Sequence, residues 1–156
     1  MVNKDFRFRC ATVDDLPLIV RLLHDDEIGA LREDSGPKAS ARYEAAFKAI
    51  QDDPNSEFLV ATLDGSIVGC LQMTVIPGLS YQGVRRCQIE DVRVMRQLRG
   101  SGVGSLLMAE AQSIASQKGC ELLQLMVHSG RTDAIRFYQR CGFEATHCGF
   151  RKSLRS

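Results

Sequence analysis

A short glycine-rich stretch in the middle of the chain combines residue types that suit a pyrophosphate group. Glycines alternate from Gly100 to Gly104, where missing side chains let the backbone approach a bulky anion closely. The helical pattern that begins at Val103 directs its first N–H groups and the positive end of its dipole at the same place. Arg96 and Arg99 add formal charge. The stretch therefore predicts a site for a nucleotide-containing cofactor.

This loop departs from the two commonest nucleotide-binding motifs. It is not a P-loop, because no Gly-Lys-Ser/Thr follows it. Its spacing is G-x-G-x-G rather than the G-x-G-x-x-G of dinucleotide folds. The acidic residue expected ~20 positions later, at the end of the next strand, is also absent, because Glu121 begins that strand. ATP and nicotinamide cofactors are therefore disfavoured.

Hydrophobic periodicity and turn signals predict the elements that must position the loop. Asp64-Gly65 between two β-rich runs is typical of a hairpin turn, and Gly119 is placed to end the helix that follows the loop. The order β-α-α-β-β-β-α-β-α-β predicts an α/β fold with a mixed sheet and helices on its faces. Strands are expected over residues 6–11, 58–63, 66–76, 84–95, 122–127 and 143–154, and helices after Thr12, over 41–51, from Val103 and over 131–140.

Two of these elements carry patterns that predict burial. Residues 122–127 are continuously apolar, as expected for a strand buried on both faces. The helix after the loop carries an apolar stripe that is expected to face the core. The stripe consists of Val103, Leu106, Leu107, Ala111, Ile114 and Ala115.

Length and composition favour a single globular domain over residues 1–156. Hydrophobic residues make up 44% and the formal net charge is +1, so no global feature indicates a nucleic-acid or membrane partner. The charged start from Asp5 to Arg9 argues against a signal peptide, and no apolar run approaches the ~18 residues of a spanning helix. A cytoplasmic location is therefore expected.

The cysteines are predicted to be reduced thiols in or near the core. None is paired as C-x-x-C, and a zinc site needs ligands clustered more closely than these intervals allow. No metal is therefore expected. The six cysteines are Cys10, Cys70, Cys87, Cys120, Cys141 and Cys148.

The glycine loop resembles the signature of the GNAT superfamily of acetyl-CoA-dependent N-acetyltransferases. That signature, Arg/Gln-x-x-Gly-x-Gly/Ala between the fourth strand and the third helix, is filled by Arg99, Gly102 and Gly104. Residues 133–143 are similar to the family's A-x-x-F-Y-x-x-x-G-F segment. The resemblance covers nearly the whole chain and implies a mixed, mostly antiparallel central sheet flanked by helices on both faces.

The resemblance implies that acetyl-CoA is the cosubstrate. It also implies that backbone groups of Val92 and Val94 bind the pantetheine amide and the oxyanion. Family members often carry proline at the position of Arg96 and asparagine at that of Arg131, so side-chain contacts to the pantetheine and the 3′-phosphate stay open. The implied cofactor-binding residues are Val92, Arg93, Val94, Arg99, Gly100, Ser101, Gly102, Val103, Gly104, Ser105, Arg131 and Tyr138.

The implied reaction is direct attack of a primary amine on the acetyl thioester through a tetrahedral intermediate. The amine, whose free pKa is near ~10, must lose a proton. Glu90, on the strand that enters the loop, is the candidate base, and the alternative is a strand carboxylate paired with Arg86 or Arg93. Tyr138 is the candidate acid by its motif position, with a core tyrosine as the alternative. His128 is expected to be a strand-end histidine rather than a proton shuttle.

The acceptor is expected in a groove between residues 25–40 and residues 77–83. An acidic lip there favours a cationic amine, Arg85-Arg86 favours a phosphorylated or phosphonylated amine, and a solvated loop is the third interpretation. The acidic residues are Asp25, Asp26, Glu27, Glu33 and Asp34.

The nearer look-alikes are small-molecule acetylases of amino sugars and aminoalkylphosphonates, so the expected acceptor is a small-molecule primary amine. A protein or peptide amine is one alternative, and a non-catalytic acyl-CoA-binding sensor is another. Similar proteins often dimerise through the C-terminal strand, which leaves a homodimer open.

Overall fold

The computed structural model describes residues 5–25 and 37–154. These ranges hold five strands, four longer helices, a four-residue helical turn (Ser80–Gly83) and two short 3-10 turns (Val13–Asp15 and Arg96–Leu98). The strands are β1 (Phe6–Cys10), β2 (Ser56–Leu63), β3 (Ser66–Ile76), β4 (Arg86–Val94) and β5 (Leu122–Leu125). The helices are α1 (Leu16–His24), α2 (Pro37–Asp52), α3 (Val103–Gln117) and α4 (Thr132–Arg140).

The five strands form one sheet in the order β1-β2-β3-β4-β5. The first four strands pair antiparallel with their sequence neighbours. Two contacts join β4 to the start of β5: the Glu121 N–H donates to the Arg85 carbonyl, and the Gln124 amide donates to the Gln88 side chain. From the first contact to the second, the residue number rises by three on both strands, so β5 runs parallel to β4. The sheet is therefore mixed and mostly antiparallel, as predicted.

Helices cover both faces of this sheet because the strand side chains alternate between two apolar cores. On one face, Val60 and Cys70 are buried in a cluster with residues of α1 and α2. On the other face, Gly69 lies against Val103 at the start of α3. The α3 residues that are buried are Val103, Leu107, Met108, Ala111 and Ala115.

The turn signals in the sequence predicted the backbone correctly at two places. Asp64 and Gly65 have φ values of 51° and 79° and join β2 to β3 as a tight hairpin. At the end of α3, Cys120 N–H donates to the Ala115 carbonyl at 2.9 Å and Gly119 N–H donates to the Ser116 carbonyl at 3.0 Å. This is the Schellman arrangement that glycine favours after a helix.

Several predicted elements were wrong in extent or burial. The second helix begins at Pro37 rather than Ala41, since proline is well suited to a first helical position. Leu106 is 46% exposed and Met108 takes its place in the α3 stripe. The fifth strand ends at Leu125 instead of Val127, and Leu122 is 48% exposed, so the strand is not buried on both faces.

The strand predicted over residues 143–154 is absent from the described chain. Its alternating side chains do not enter a core: Phe150 and Leu154 are 91% and 92% exposed. A strand needs both a paired backbone and a buried face, and the local bond from Thr146 N–H to the Glu144 carbonyl is instead that of a turn.

The chain divides into two compact units, residues 1–124 and 125–156. The first holds the sheet and α1 to α3. In the second, α4 is followed by a turn in which Phe143 N–H donates to the Tyr138 carbonyl. A single functional domain over 1–156 stays a prediction.

A bidentate ion pair connects β1 to the beginning of α1. The Arg9 guanidinium donates to both oxygens of Asp15 at 2.6 and 2.9 Å, and the Thr12 N–H donates to the same carboxylate at 2.7 Å. Asp15 is 8% exposed. These hydrogen bonds, chiefly those from Arg9, lower the pKa of Asp15 to about 2.

We expect Asp15→Asn to lower the free energy of unfolding by about 2 kcal/mol at neutral pH. Because the folded pKa lies below the unfolded one, the contribution is complete above pH ~4 and is lost as the pH falls through about 2. Urea unfolding of both proteins between pH 7 and pH 2 measures this difference. Asp14→Asn, at the exposed neighbouring position, is the control; a difference that persists at pH 2 contradicts the assignment.

Candidate cofactor and acetyl-transfer site

The predicted glycine loop is an irregular connection that ends at the first turn of α3. Gly100 and Gly102 have φ values of 80° and 92°, and Gly102 is the N-cap of the helix. A Cβ built on either glycine meets nothing within 4 Å, so the space in front of the loop is open. Gly104 and Ser105 lie inside the first turn of α3. This loop therefore presents backbone N–H groups and open space together, which suits a pyrophosphate.

Close packing of α3 on β3 determines where this helix begins. A Cβ built on Gly69 lies 3.0 Å from the Arg93 carbonyl oxygen and 3.6 Å from Cγ1 of Val103. A Cβ at position 69 would press on the Arg93 carbonyl of β4, whereas its contact with Val103 is of ordinary length, so only a side chain larger than alanine would displace the first turn of α3. Val103 is fully buried, so its side chain belongs to the core and its backbone alone faces the loop.

Asp25, which follows α1 directly, holds both arginines of the loop. Its carboxylate accepts from the Arg96 backbone N–H at 3.2 Å and lies 3.6 Å from Arg96 Nε. Arg99 Nη2 donates to the Asp25 carbonyl at 2.9 Å and lies 3.5 Å from its carboxylate. Arg99 Nε donates to the Val94 carbonyl at 3.2 Å. These contacts connect the end of α1, the end of β4 and the loop.

This position corrects the expectation that Asp25 belongs to an acidic lip around the acceptor. Its carboxylate is ion-paired with Arg96 and Arg99 and faces the loop instead. No local sequence signal indicates this role, because Asp25 lies 71 and 74 residues from Arg96 and Arg99 along the chain. The other members of the predicted lip, Asp26, Glu27, Glu33 and Asp34, lie outside the described residues.

A bulge interrupts β4 next to Glu90. Gln72 pairs with Glu90 and Cys70 pairs with Arg93, so two residues of β4, Asp91 and Val92, stand opposite one residue of β3. Asp91 has a φ of 53°, which is uncommon for a non-glycine residue. Because cross-strand partners share a face, the bulge brings Glu90 and Arg93 to the same face of the sheet. Glu90 is exposed there.

Three polar side chains near β4 and the loop, those of Arg93, Ser101 and Arg85, each donate to a backbone carbonyl. Arg93 Nη1 donates to the Val92 carbonyl at 2.9 Å. Ser101 Oγ donates to the Leu98 carbonyl at 2.6 Å, which stabilises the turn before Gly102. Arg85 Nη1 donates to the Lys118 carbonyl at 3.0 Å, which gives this member of the predicted Arg85-Arg86 pair a structural role.

The second unit carries the other two predicted site residues. Arg131 is the N-cap of α4, and its carbonyl accepts from Ile135 N–H at 3.0 Å. The half-buried Tyr138 ring has edge contacts with Phe137 and Phe143, at centroid distances of 5.0 and 5.9 Å. Tyr138 therefore packs in a small aromatic cluster, and its predicted role as an acid stays a prediction.

His128 hydrogen-bonds to nearby backbone at the end of a strand, in agreement with the prediction of a strand-end histidine. It is exposed and follows the end of β5, and its Nδ1 accepts from Gly130 N–H at 3.1 Å.

The cysteines fit only partly with the prediction of core thiols. All six are free, but Cys70 and Cys87 are buried while Cys10 and Cys148 are exposed. Burial raises the pKa of Cys70 to about 12 and that of Cys87 to about 11, so both are protonated at neutral pH. These two thiols are unsuited to act as nucleophiles.

The described part of the chain holds neither a metal-binding cluster nor a membrane-spanning helix. Residues 5–25 and 37–154 contain no cluster of three or more metal-binding side chains. No helix in these ranges is long and apolar enough to cross a bilayer.

Comparison with known proteins identifies the family. A family model described as "Acetyltransferase (GNAT) family" matches residues 20–143. The chain belongs to the GNAT acetyltransferase family. A solved structure from Bacillus halodurans C-125, described as a transcriptional regulator, shares 41% identity with this GNAT chain at a TM-score of 0.92, and covers 96% of this chain and 100% of that one.

Two curated relatives of this GNAT chain have named small-molecule activities. Aminoalkylphosphonate N-acetyltransferase of Salmonella typhimurium is 34% identical over 102 residues, which cover 65% of this chain and 66% of that protein. Streptothricin acetyltransferase of Streptomyces lavendulae is 31% identical over 105 residues, which cover 67% and 51%. The GNAT chain thus spans about half to two thirds of the length of these curated relatives.

Two substitutions at Asp25 distinguish its positioning of Arg96 and Arg99 from a simple repulsion between its negative charge and CoA. Asp25→Ala removes the carboxylate that accepts from the Arg96 backbone N–H and pairs with the Arg96 and Arg99 side chains, although the bond from Arg99 to the Asp25 carbonyl remains. We expect CoA to bind about three- to tenfold more weakly. In Asp25→Asn a side-chain oxygen remains to accept these bonds while the negative charge is gone, so affinity should be retained or improved. Calorimetric titration with CoA measures both. Tighter binding by both variants would show that the carboxylate merely repels the anion.

Proposed function

We propose that this protein is an acetyl-CoA-dependent N-acetyltransferase whose acceptor is the primary amine of a small molecule. The observation that carries the proposal is the open glycine loop at the start of α3, with Arg99 held between the Val94 carbonyl and Asp25. The curated relatives named for aminoalkylphosphonate and streptothricin support a small amine.

The proposed cofactor site uses charge and backbone together. Backbone N–H groups of residues 102–105 and the dipole of α3 would bind the pyrophosphate of CoA. Arg96 and Arg99 add positive charge at the same end of the helix. Both the hydroxyl and the backbone N–H of Ser101 donate to the Leu98 carbonyl, so its proposed contribution to the site is to hold the turn before Gly102.

The end of β4 is proposed to bind the pantetheine arm. The β4–β5 contacts lie at Arg85 and Gln88, and β5 ends at Leu125, one residue beyond Gln124. β5 therefore pairs with the first half of β4, before the bulge at Asp91. The backbone of Val92 and Val94 lies past that point, which supports pairing with an amide of the cosubstrate.

Glu90 is proposed as the general base. Acetyl-CoA supplies the thioester carbonyl that the amine attacks. Glu90 precedes the bulge and is exposed on the sheet face shared with Gln72, so its carboxylate can accept the amine proton directly or through water. Tyr138 is proposed to give a proton to the departing thiolate, on the strength of its motif position alone.

One rival has a specific observation in its favour. The relative from Bacillus halodurans C-125 is described as a transcriptional regulator. A non-catalytic acyl-CoA-binding sensor would keep the glycine loop and bind CoA without releasing thiol in the presence of any amine. If the acceptor is instead a protein or peptide, the enzyme would release thiol with a lysine peptide and not with small amines.

The test is thiol release from acetyl-CoA with an amine panel and with Glu90→Gln. The panel contains polyamines, aminoglycosides, amino sugars, aminoalkylphosphonates, amino acids and a lysine peptide. We expect turnover with a small amine and a loss of about 100-fold in Glu90→Gln at pH 7. Part of the loss should be recovered at high pH, where the amine is deprotonated without help.

The control is Glu144→Gln, an exposed carboxylate in the second unit, and a blank without amine corrects for the six protein thiols. An unchanged pH–rate profile in Glu90→Gln removes Glu90 from the mechanism. CoA binding without turnover on any acceptor selects the sensor instead.

A further inference from the structure

The sheet face that carries Glu90 changes from apolar to polar along the strands. Val60, Cys70 and Phe58 of this face are buried in the core with α1 and α2. Beyond them the same face carries a group of polar side chains, which we call the polar band. The polar band consists of Gln72, Thr74, Gln88, Glu90 and Gln124.

Strand register places these residues in two adjacent rows. Gln72 pairs with Glu90, and Thr74 pairs with Gln88 in the next row. The side-chain bond from Gln124 Nε2 to Gln88 Oε1, 2.7 Å long, brings Gln124 to the same face. Gln88 and Glu90 are two residues apart on one strand, so their Cα atoms are separated by roughly 6.6 Å.

Polarity is confined to this face of the strands. The residues between the band members, which point to the α3 face, are Leu71, Met73, Val75, Cys87 and Ile89, and all are buried and apolar. The four neutral band members are partly exposed and Glu90 is exposed. The polar band is therefore accessible from outside, at a face that is otherwise closed by apolar contacts with α1 and α2.

The Gln88–Gln124 pair keeps most of its hydrogen-bonding capacity beyond the bond between the two amides. Two glutamine amides together carry four N–H donors and two carbonyl oxygens. The bond between them uses one N–H of Gln124 and one lone pair of Gln88. It fixes both side chains in place, so the remaining donors and the Gln124 carbonyl are already oriented for a ligand, which lowers the entropy lost on binding.

We propose that Gln88 and Gln124 are specificity-determining residues that bind hydroxyl groups of the acceptor. The inference rests on the proposed acetyl transfer, with the acceptor amine at Glu90. A hydroxyl within roughly 7 Å of that amine then meets the amide pair, which can donate and accept. The acceptor class that this arrangement favours is a hydroxylated amine, because an alkyl amine would leave the oriented amides unpaired.

The test compares two ring amines, glucosamine and cyclohexylamine, as acceptors for the 156-residue chain. Gln88→Met, Gln124→Met and the double variant keep side-chain length and remove the amides. We expect the double variant to lower the ratio of kcat/KM for glucosamine to that for cyclohexylamine by about tenfold or more, with each single variant intermediate. KM for acetyl-CoA should stay unchanged. Gln112→Met, at an exposed position of α3, is the matched control.

The ratio distinguishes specificity from a loss of folding, because unfolding lowers both activities equally. An unchanged ratio in variants that keep the normal KM for acetyl-CoA overturns the role of the amide pair while leaving the proposed acetyl transfer intact. Absence of thiol release by the unsubstituted enzyme with every amine of the panel overturns the proposed function and this inference together.

Discussion

The packing of α3 against β3 is the contact on which the rest of the site depends. Gly69 allows the first residue of α3, Val103, to lie directly on the central strand, close to the Arg93 carbonyl. The buried face of α3 then fixes the direction of the helix and the position of its N-terminus. The loop that enters α3 has no such core of its own, and it is held instead by Arg99, which joins the Val94 carbonyl to Asp25. A rigid helix end and a hydrogen-bonded loop together give a backbone anion site a defined geometry.

The strand β4 connects this anion site with the proposed acceptor site. Before its bulge, one face of β4 carries Gln88 and Glu90 and the other face carries the buried Cys87 and Ile89. After the bulge, the same strand leads through Val94 into the glycine loop. On the face that carries Glu90, the amide pair of Gln88 and Gln124 is the part that we propose to bind hydroxyl groups of the acceptor.

Much of the fold and the loop could be predicted from the sequence because local signals there agree with the tertiary structure. The Asp64-Gly65 turn, the glycine after α3 and the loop-to-helix pattern each depend on residues close in sequence. Long-range features were missed. The positive φ of Asp91 was not predicted because no glycine stands at that position. The partner of Arg99 was not predicted because Asp25 lies 74 residues away in sequence. The Gln88–Gln124 bond similarly joins residues 36 apart. The C-terminal strand was wrong because alternation alone does not supply a buried face.

The most direct test of the central claim compares two glycines at opposite ends of α3. Gly102 and Gly119 have positive φ values of 92° and 74°, and a Cβ at either position meets nothing within 4 Å. Alanine at each should therefore lower stability similarly, by about 1 kcal/mol. Calorimetric titration with CoA should show at least about tenfold weaker binding for Gly102→Ala, because the new Cβ and the altered loop disturb the anion site, with no change for Gly119→Ala. Equal CoA affinity in the two variants would contradict a pyrophosphate site at the start of α3.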